Sequence, residues 1–400
     1  MKIFKENRPL AIYFVIIALT ALAMSMSNDV LSNYFKEVYQ VTPFQRGIIE
    51  LPRELPGVLL IVTVSLLSFM SDIRMAMVAQ VLSIIGILAL GILTPTYSLM
   101  LVFIFINSMG MHLFFPLQES IGLSLVGDTN IGKRMGQFKG ITTGFLMIGY
   151  GMVFLAFRYD IFSFVSSIKW IFVLAGSLLF VVLILFIYLE HLLQKPKSSE
   201  HKVKLFFRKE YRYYYVLVIM FGVQKQMMMV YGPWVLIEIL GKRQDTMSVL
   251  SMIGAFVGIF FLPAVGRWMD RYGIKKILYA DAISFIFVYG IYGFMSGRLY
   301  NGSLSHVGWP VFFMFALYIV DKMSGQLGMV RSVYLKSILV EERDLTPTLS
   351  LGISLDHIMS ISFAIVGGLV WKAWGPQYIF YLVALLSFVN LYVAYRVDIK

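Results

Sequence analysis

Residues 168–193 read IKWIFVLAGSLLFVVLILFIYLEHLL, and residues 194–212, which follow, read QKPKSSEHKVKLFFRKEYR. No charged side chain lies between Lys169 and Glu190. A hydrocarbon core of ~30 Å is crossed by ~20 helical residues at ~1.5 Å each. The first stretch is therefore long and apolar enough to span a bilayer, and the second is a basic loop at its end. Outward from this loop the pattern repeats, with six such stretches before it and six after. They fall near 10–35, 44–70, 74–93, 97–126, 133–157, 168–193, 213–240, 246–269, 274–296, 309–340, 346–372 and 376–396. They are apolar all round, without the period-two polarity of barrel strands. The expectation is an all-α polytopic membrane protein with twelve transmembrane helices in two six-helix bundles, residues 1–193 and 213–400, joined by a basic linker at 194–212.

Composition agrees, because 59% hydrophobic and 14% charged residues leave too little polar surface to coat a water-soluble body of 400 residues. The first stretch follows Lys2, Lys5 and Arg8 but is too long for a secretory signal and lacks a small-residue cleavage pattern, so it is expected to stay as a helix. Most of the 34 Lys and Arg fall on ends and loops that share a side with the N-terminus. The positive-inside bias then places both termini and the linker in the cytoplasm, with the chain multi-pass in the cell membrane. Trp170, Trp234, Trp309, Trp371 and Trp374 fall near the opposite ends, where an indole buries its ring and keeps its N–H wet.

A net charge of +12 spread over loops is explained by topology and gives no stripe for nucleic acid. Lys202, Lys204, Arg208 and Lys209 flank Leu205, Phe206 and Phe207, which fits either a segment lying on anionic lipid or a solvated linker. Absence of cysteine excludes disulfides, thiolate metal sites and cysteine nucleophiles. There is no phosphate-binding glycine loop, no His-Glu-x-x-His and no soluble domain long enough to hydrolyse nucleotide. No catalytic residue, metal or cofactor is expected, and the chain is read as a monomer in lipid and not as an enzyme.

Between the eighth and ninth stretches stands Gly266-Arg267-Trp268-Met269-Asp270-Arg271-Tyr272-Gly273-Ile274-Lys275-Lys276. Two glycines around an Asp-Arg pair, followed by a basic cluster, resemble the signature loop of the major facilitator superfamily. The glycines suit a tight turn and close helix approach, while Asp270 can cap a helix or pair with Arg271. The resemblance implies two pseudo-symmetric bundles, with helices 1, 4, 7, 10 and 11 around a central cavity. A shift of 214 residues lays Val126 on Val340 and pairs Gly110 with Ser324, Asn107 with Asp321 and His112 with Gln326. In the equivalent loop of the first half, Ser71, Asp72 and Arg74 keep an acid and a base without the glycines. The fourth stretch lacks the arginine of many proton-coupled drug exporters, and the fifth lacks their Gly-Pro pair, which lowers multidrug antiport in rank.

An ionisable group near the bilayer centre costs ~2.5–3.5 kcal/mol on insertion scales, so several together require pairing, hydration or use. Counting along each stretch puts Lys225, Asp321, Lys322, Asp356 and His357 about halfway across, with His112 slightly to one side. The functional reading assigns His112, Gln224, Lys225, Gln226, Tyr231, Trp234 and Lys322 to substrate, and Asp321, Asp356 and His357 to protons. The competing reading is a self-satisfied network, Asp321 with Lys225 or Asp356 with Lys322. Glu119, Lys139, Arg331 and Lys336 suit an inner gate or static helix-end pairs, and the loop residues Asp72, Arg74, Gly266, Asp270, Arg271 and Gly273 join the gating set. Glu50, Arg53 and Glu54 suit local neutralisation, and Asp29 an interfacial role. Gly144, Gly149, Gly151, Gly254, Gly258, Gly367 and Gly368 read as close-packing positions. The leading expectation is a secondary transporter of a small organic solute, working by alternating access and coupled to protons. The alternatives are a sensor with a ligand pocket and a lipid scramblase.

Overall fold

A computed structural model describes residues 7–126, 131–193, 207–341 and 344–397. The linker over 194–206, with Lys202, Lys204, Leu205 and Phe206, lies outside the described residues, as do Lys2, Lys5, Arg343 and Lys400. Among the described residues there is no strand. The helices are α1 (Arg8–Asn28), α2 (Leu31–Tyr39), α3 (Pro43–Ile48), α4 (Glu50–Leu66), α5 (Asp72–Ile92), α6 (Tyr97–Val126), α7 (Ile131–Arg158), α8 (Trp170–Leu193), α9 (Arg212–Glu238), α10 (Gln244–Tyr272), α11 (Ile274–Tyr300), α12 (Trp309–Gln326), α13 (Met329–Ser337), α14 (Leu345–Trp374) and α15 (Pro376–Arg396).

Among the described residues, nine helical stretches, α1 with α2 counted as one, are long and apolar enough to cross a membrane. Three of the expected spans fall short of that standard: α3 with α4, α9, and α12 with α13. Their own residues explain why. The first carries Arg46, Glu50, Arg53 and Glu54, the second Lys225 between two glutamines, and the third Asp321 and Lys322 before a break. That break is built from short backbone bonds, Leu327 N–H to Ser324 O at 3.0 Å, Gly328 N–H to Gly325 O at 3.2 Å and Val330 N–H to Leu327 O at 2.9 Å. Bonds to the third residue back tighten the helix at Gly325 and Gly328 and interrupt it there.

The chain divides into two compact units. Unit 1 comprises Met1–Tyr39, Leu59–Lys202 and Gln244–Met252, and unit 2 comprises Gln40–Val58, Val203–Arg243 and Ile253–Lys400. In unit 1, α5 packs on α6 and α8 while α1 packs on α7 and α8, around Tyr13, Phe14, Ile73, Leu113 and Phe186. In unit 2, α11 packs on α15 and α9 on α14, around Tyr214, Leu217, Val265, Leu278 and Tyr334. Apolar attraction between helices is weak in lipid, so close approach at small residues carries such packing. A Cβ on Gly110 would strike Ala79 O and Ser83, and one on Gly368 would strike Pro43 O and Phe44, so α5–α6 and α3–α14 approach backbone to backbone. Gly149, Gly254, Gly258 and Gly367 are similarly tight, but Gly144 opens on empty space and Gly151 nearly so, which corrects the close-packing reading at those two.

Trp170, Trp309 and Trp374 are exposed, as an interfacial belt requires, whereas Trp234 and Trp371 are buried in unit 2. At the described end of the linker, Arg208 bonds Glu341 at 2.5 Å and Asp344 at 2.9 Å, and the Tyr211 hydroxyl donates to Asp344 at 2.6 Å. Burial pushes the Tyr211 phenol above its usual range, and the bond to Glu341 raises the Arg208 guanidinium.

Gly110→Val should destabilise the protein by about 1–3 kcal/mol, because the α5–α6 contact has no room for a side chain. Gly144→Ala should leave the midpoint unchanged or raise it by up to about 1 kcal/mol through helix propensity. Thermal melting of the two purified variants in one detergent checks the contrast.

Candidate functional site

Unit 2 gathers the charges that the sequence places at half depth. Lys225 Nζ on α9 donates to Asp356 Oδ2 on α14 at 2.6 Å, so the pairing crosses the two arrangements expected from sequence. A Cβ on Gly222 would press on Asp356, which shows how closely α9 and α14 approach beside this pair. Lys225 also lines a cavity of about 180 Å³ with Met228, Met229, Phe285, Tyr289, Tyr318, Asp321, Lys322 and Gly325. Lys322 Nζ lies 4.9 Å from the Tyr318 ring centre, a cation–π distance. Gly325 offers open space on its Cβ side, so the break between α12 and α13 widens the cavity. The result is a chamber with two ammonium groups, one carboxylate, three aromatic rings and two thioethers, a lining suited to an amphipathic solute.

A second cluster docks α3 and the start of α4 on the rest of unit 2. Pro43 opens α3 and Thr42 caps it in a reciprocal capping box with Gln45. Arg46 and Arg53 both bond Glu50 Oε1, the latter at 2.6 Å, and Gln226 Nε2 donates to Glu50 Oε2 at 2.8 Å. Glu54 Oε2 meets His357 Nδ1 at 2.7 Å, while Gly57 leaves room for the imidazole. Glu50 is thus neutralised locally as expected, but Glu54 is joined to α14. Residues 244–252, which belong to unit 1, clamp Asp29 in a comparable way. Gln244, Ser248 and Ser251 donate to its carboxylate at 3.0, 3.1 and 2.6 Å.

Other expected site residues are committed to packing. Gln224 is fully buried, donating to Ser387 at 2.7 Å and accepting from Asn390 at 3.1 Å, while its carbonyl accepts from Tyr289. The Tyr231 hydroxyl donates to Ala364 O, and Trp234 is fully buried. In unit 1, His112 Nδ1 lies 3.1 Å from Ser108 Oγ and 2.9 Å from its carbonyl. Nearby, Thr20, Gln80, Ser83 and Asn107 line a small uncharged cavity together with Met24, Met111, Phe114 and Leu179. Of the gating set, Asp72 accepts from Ser120 and Arg74 bonds Glu190, whereas Glu119 and Lys139 are exposed and make no ion pair among the described residues. Gly273 takes φ +83 where α10 meets α11, the tight turn that its place in the loop requires, but Gly266 has room for a side chain and Asp270 caps nothing.

Arg331 lies deep inside unit 2. Its Nη2 meets Asp281 Oδ2 at 2.6 Å, its Nε donates to Leu217 O at 3.3 Å, and its guanidinium stands 4.1 Å from the Phe221 ring centre. The side chain knits α13 to α9 and α11 just beyond the helix break. Asp281 escaped the sequence reading, although an acid alone in an apolar stretch that also holds only interfacial bases was a usable signal. Asp281→Asn or Arg331→Met should each cost about 3–5 kcal/mol by stranding a buried charge, and the joint Asp281→Leu, Arg331→Met variant should cost less than either alone. Thermal melting of the three variants checks this order.

Residues 13–337 match the family model described as Major Facilitator Superfamily. No curated protein matches the chain. Among solved structures, a point mutant of the nucleoside transporter NupG matches with a TM-score of 0.78 at 12% identity, covering 97% of this chain and 99% of that one. A POT family transporter in complex with 5-aminolevulinic acid matches at 0.72 and 11% identity, over 97% and 95% of the two chains. A bacterial homologue of the human lysosomal transporter Spinster matches at 0.67 and 11% identity, over 97% and 96%. At these identities the likeness is one of fold.

Proposed function

We propose that this chain, which belongs to the major facilitator superfamily and is therefore a membrane transporter, is a secondary carrier that moves a small organic solute by alternating access and draws on protons. The observation that carries the reading is the unit 2 chamber, where Lys225, Asp321 and Lys322 face a common space of about 180 Å³ among Phe285, Tyr289 and Tyr318. Ionisable groups kept in such a place are costly unless they are used or paired. One close ion pair at this chamber is Lys225–Asp356, at 2.6 Å. A solute with an anionic group can compete with Asp356 for Lys225, and the aromatic and methionine lining takes its apolar part.

The neighbours support a small organic cargo in a general sense, since one is a nucleoside transporter and another holds 5-aminolevulinic acid. Asp321, Asp356 and His357 are the proposed proton carriers, the first two at or beside the chamber and His357 in the Glu54 contact. His112 stays in the proposal as a polar contact of unit 1, and Gln224, Tyr231 and Trp234 act behind the chamber as its support. The protein is proposed to work as a monomer in the cell membrane with both termini cytoplasmic.

Counterflow in proteoliposomes against a metabolite panel, with and without an inward-directed proton gradient, tests this reading. Saturable exchange stimulated by the gradient is expected. Lys225→Gln and Asp321→Asn should each lower it about tenfold or more, the scale of one lost charged hydrogen bond, while size-exclusion profiles stay unchanged. Ligand-induced thermal stabilisation without flux would return the chain to the sensor reading.

A further inference from the structure

Charged groups in unit 1 are few within the spans, yet one ion pair lines an apolar groove. Arg74, in the first turn of α5, donates through Nε to Glu190 Oε1 near the end of α8. The arginine is 59% exposed and the glutamate 20%, so the pair sits on the outside of the unit and not in its core. Both side chains line a groove of about 360 Å³ together with Met70, Met77, Val78, Val81 and Leu82. Residues 74, 77, 78, 81 and 82 fall on one face of α5, since they repeat at three and four residues. From Arg74 to Leu82 that face descends ~12 Å, a large part of one leaflet's hydrocarbon depth.

The polar pair has a chemistry of its own. Arg74 spends only its Nε on Glu190, and neither of its Nη groups makes a hydrogen bond among the described residues; nor does Glu190 Oε2. Two parallel N–H donors suit a phosphate, and the spare carboxylate oxygen beside them suits an ammonium that can donate. An ion pair with both outer edges unspent matches a zwitterion laid antiparallel to it, each charge facing its opposite. The apolar groove running away from the same point suits an acyl chain.

We propose that the α5–α8 groove is a binding site for a phospholipid with a primary-amine headgroup, its phosphate on Arg74, its ammonium on Glu190 and one acyl chain against Met77, Val78, Val81 and Leu82. A trimethylated headgroup carries the same charge but has no N–H to give Glu190. A glycerol headgroup leaves the carboxylate facing a net anion. The site therefore prefers phosphatidylethanolamine over phosphatidylcholine and phosphatidylglycerol of the same acyl chains.

The test uses the purified full chain in neutral detergent, with native mass spectrometry of lipid adducts and thermal melting after addition of each of the three dioleoyl lipids. Phosphatidylethanolamine is expected to give the most adducts and the largest upward shift. Glu190→Gln and Arg74→Gln should each reduce the preference severalfold, and Val78→Trp should reduce adducts by filling the groove while leaving the ion pair in place. Because the two charged side chains sit outside the core, size-exclusion profiles of their variants should match the parent. Equal binding of the three lipids, an unchanged preference in Glu190→Gln and Arg74→Gln, or an equal shift from free phosphoethanolamine without acyl chains would each overturn the proposal.

Discussion

A charge held in hydrocarbon must find an opposite charge or water, and unit 2 is arranged around that requirement. Three of its stretches are too polar to look like ordinary spans, and they are the ones that bring Arg46, Glu50, Glu54, Lys225, Asp321 and Lys322 into the unit. Their neighbours supply the answers: Asp356 for Lys225, Gln226 and two arginines for Glu50, and His357 for Glu54. The Asp281–Arg331 pair is buried as the Arg46–Glu50 pair is, and it holds the short helix that follows the break. At that pair stability and polarity are linked, because removing one member strands its partner in a buried place.

The break between α12 and α13 gives this polarity a use. A continuous helix would pass Asp321, Lys322 and Gly325 through the membrane with its backbone satisfied and its face closed. Interrupted at Gly325 and Gly328, it leaves a chamber instead, and irregular backbone at membrane depth is tolerated where it is buried or lines a cavity. Unit 1 answers differently. Its small interior cavity is bordered by Thr20, Gln80, Ser83 and Asn107 together with Met111, Phe114 and Leu179, a neutral lining, and charged side chains such as Arg74 and Glu190 stand near helix ends while Asp29 is held in its clamp. The proposed division of labour follows from this contrast, with ion-bearing chemistry in unit 2 and neutral polar contacts in unit 1.

Much of the fold was legible because apolar length is a strong signal and glycine-flanked charged turns are distinctive. The turn at Gly273 was read correctly for that reason, and the match over residues 13–337 agrees with the family resemblance it suggested. Lys225, Asp356, Asp321 and Lys322 stood out since charges are rare in such stretches, but their partners were not legible: sequence spacing does not tell which helices touch, and Lys225 met Asp356 across 131 positions. Gln224, Tyr231 and Trp234 were assigned to solute by polarity and aromaticity, properties that buried hydrogen-bonding and packing residues share. Asp281 was passed over, and its partner, Arg331, was read as part of a gate or a static helix-end pair. Gly144 shows the same limit, since a glycine-rich helix face need not meet another helix.

The central claim is that the unit 2 chamber holds water and solute, and the absence of cysteine from the chain allows a direct measurement. A single Gly325→Cys substitution places a thiol where the structure has open space, and Phe287→Cys places one on an exposed face of α11 that lipid would cover. Reaction of each with a charged, water-soluble maleimide in native membranes would be followed with time. The account predicts labelling at position 325, slowed by a transported solute, and little labelling at 287. Failure of the 325 thiol to react from either side of the membrane would contradict it.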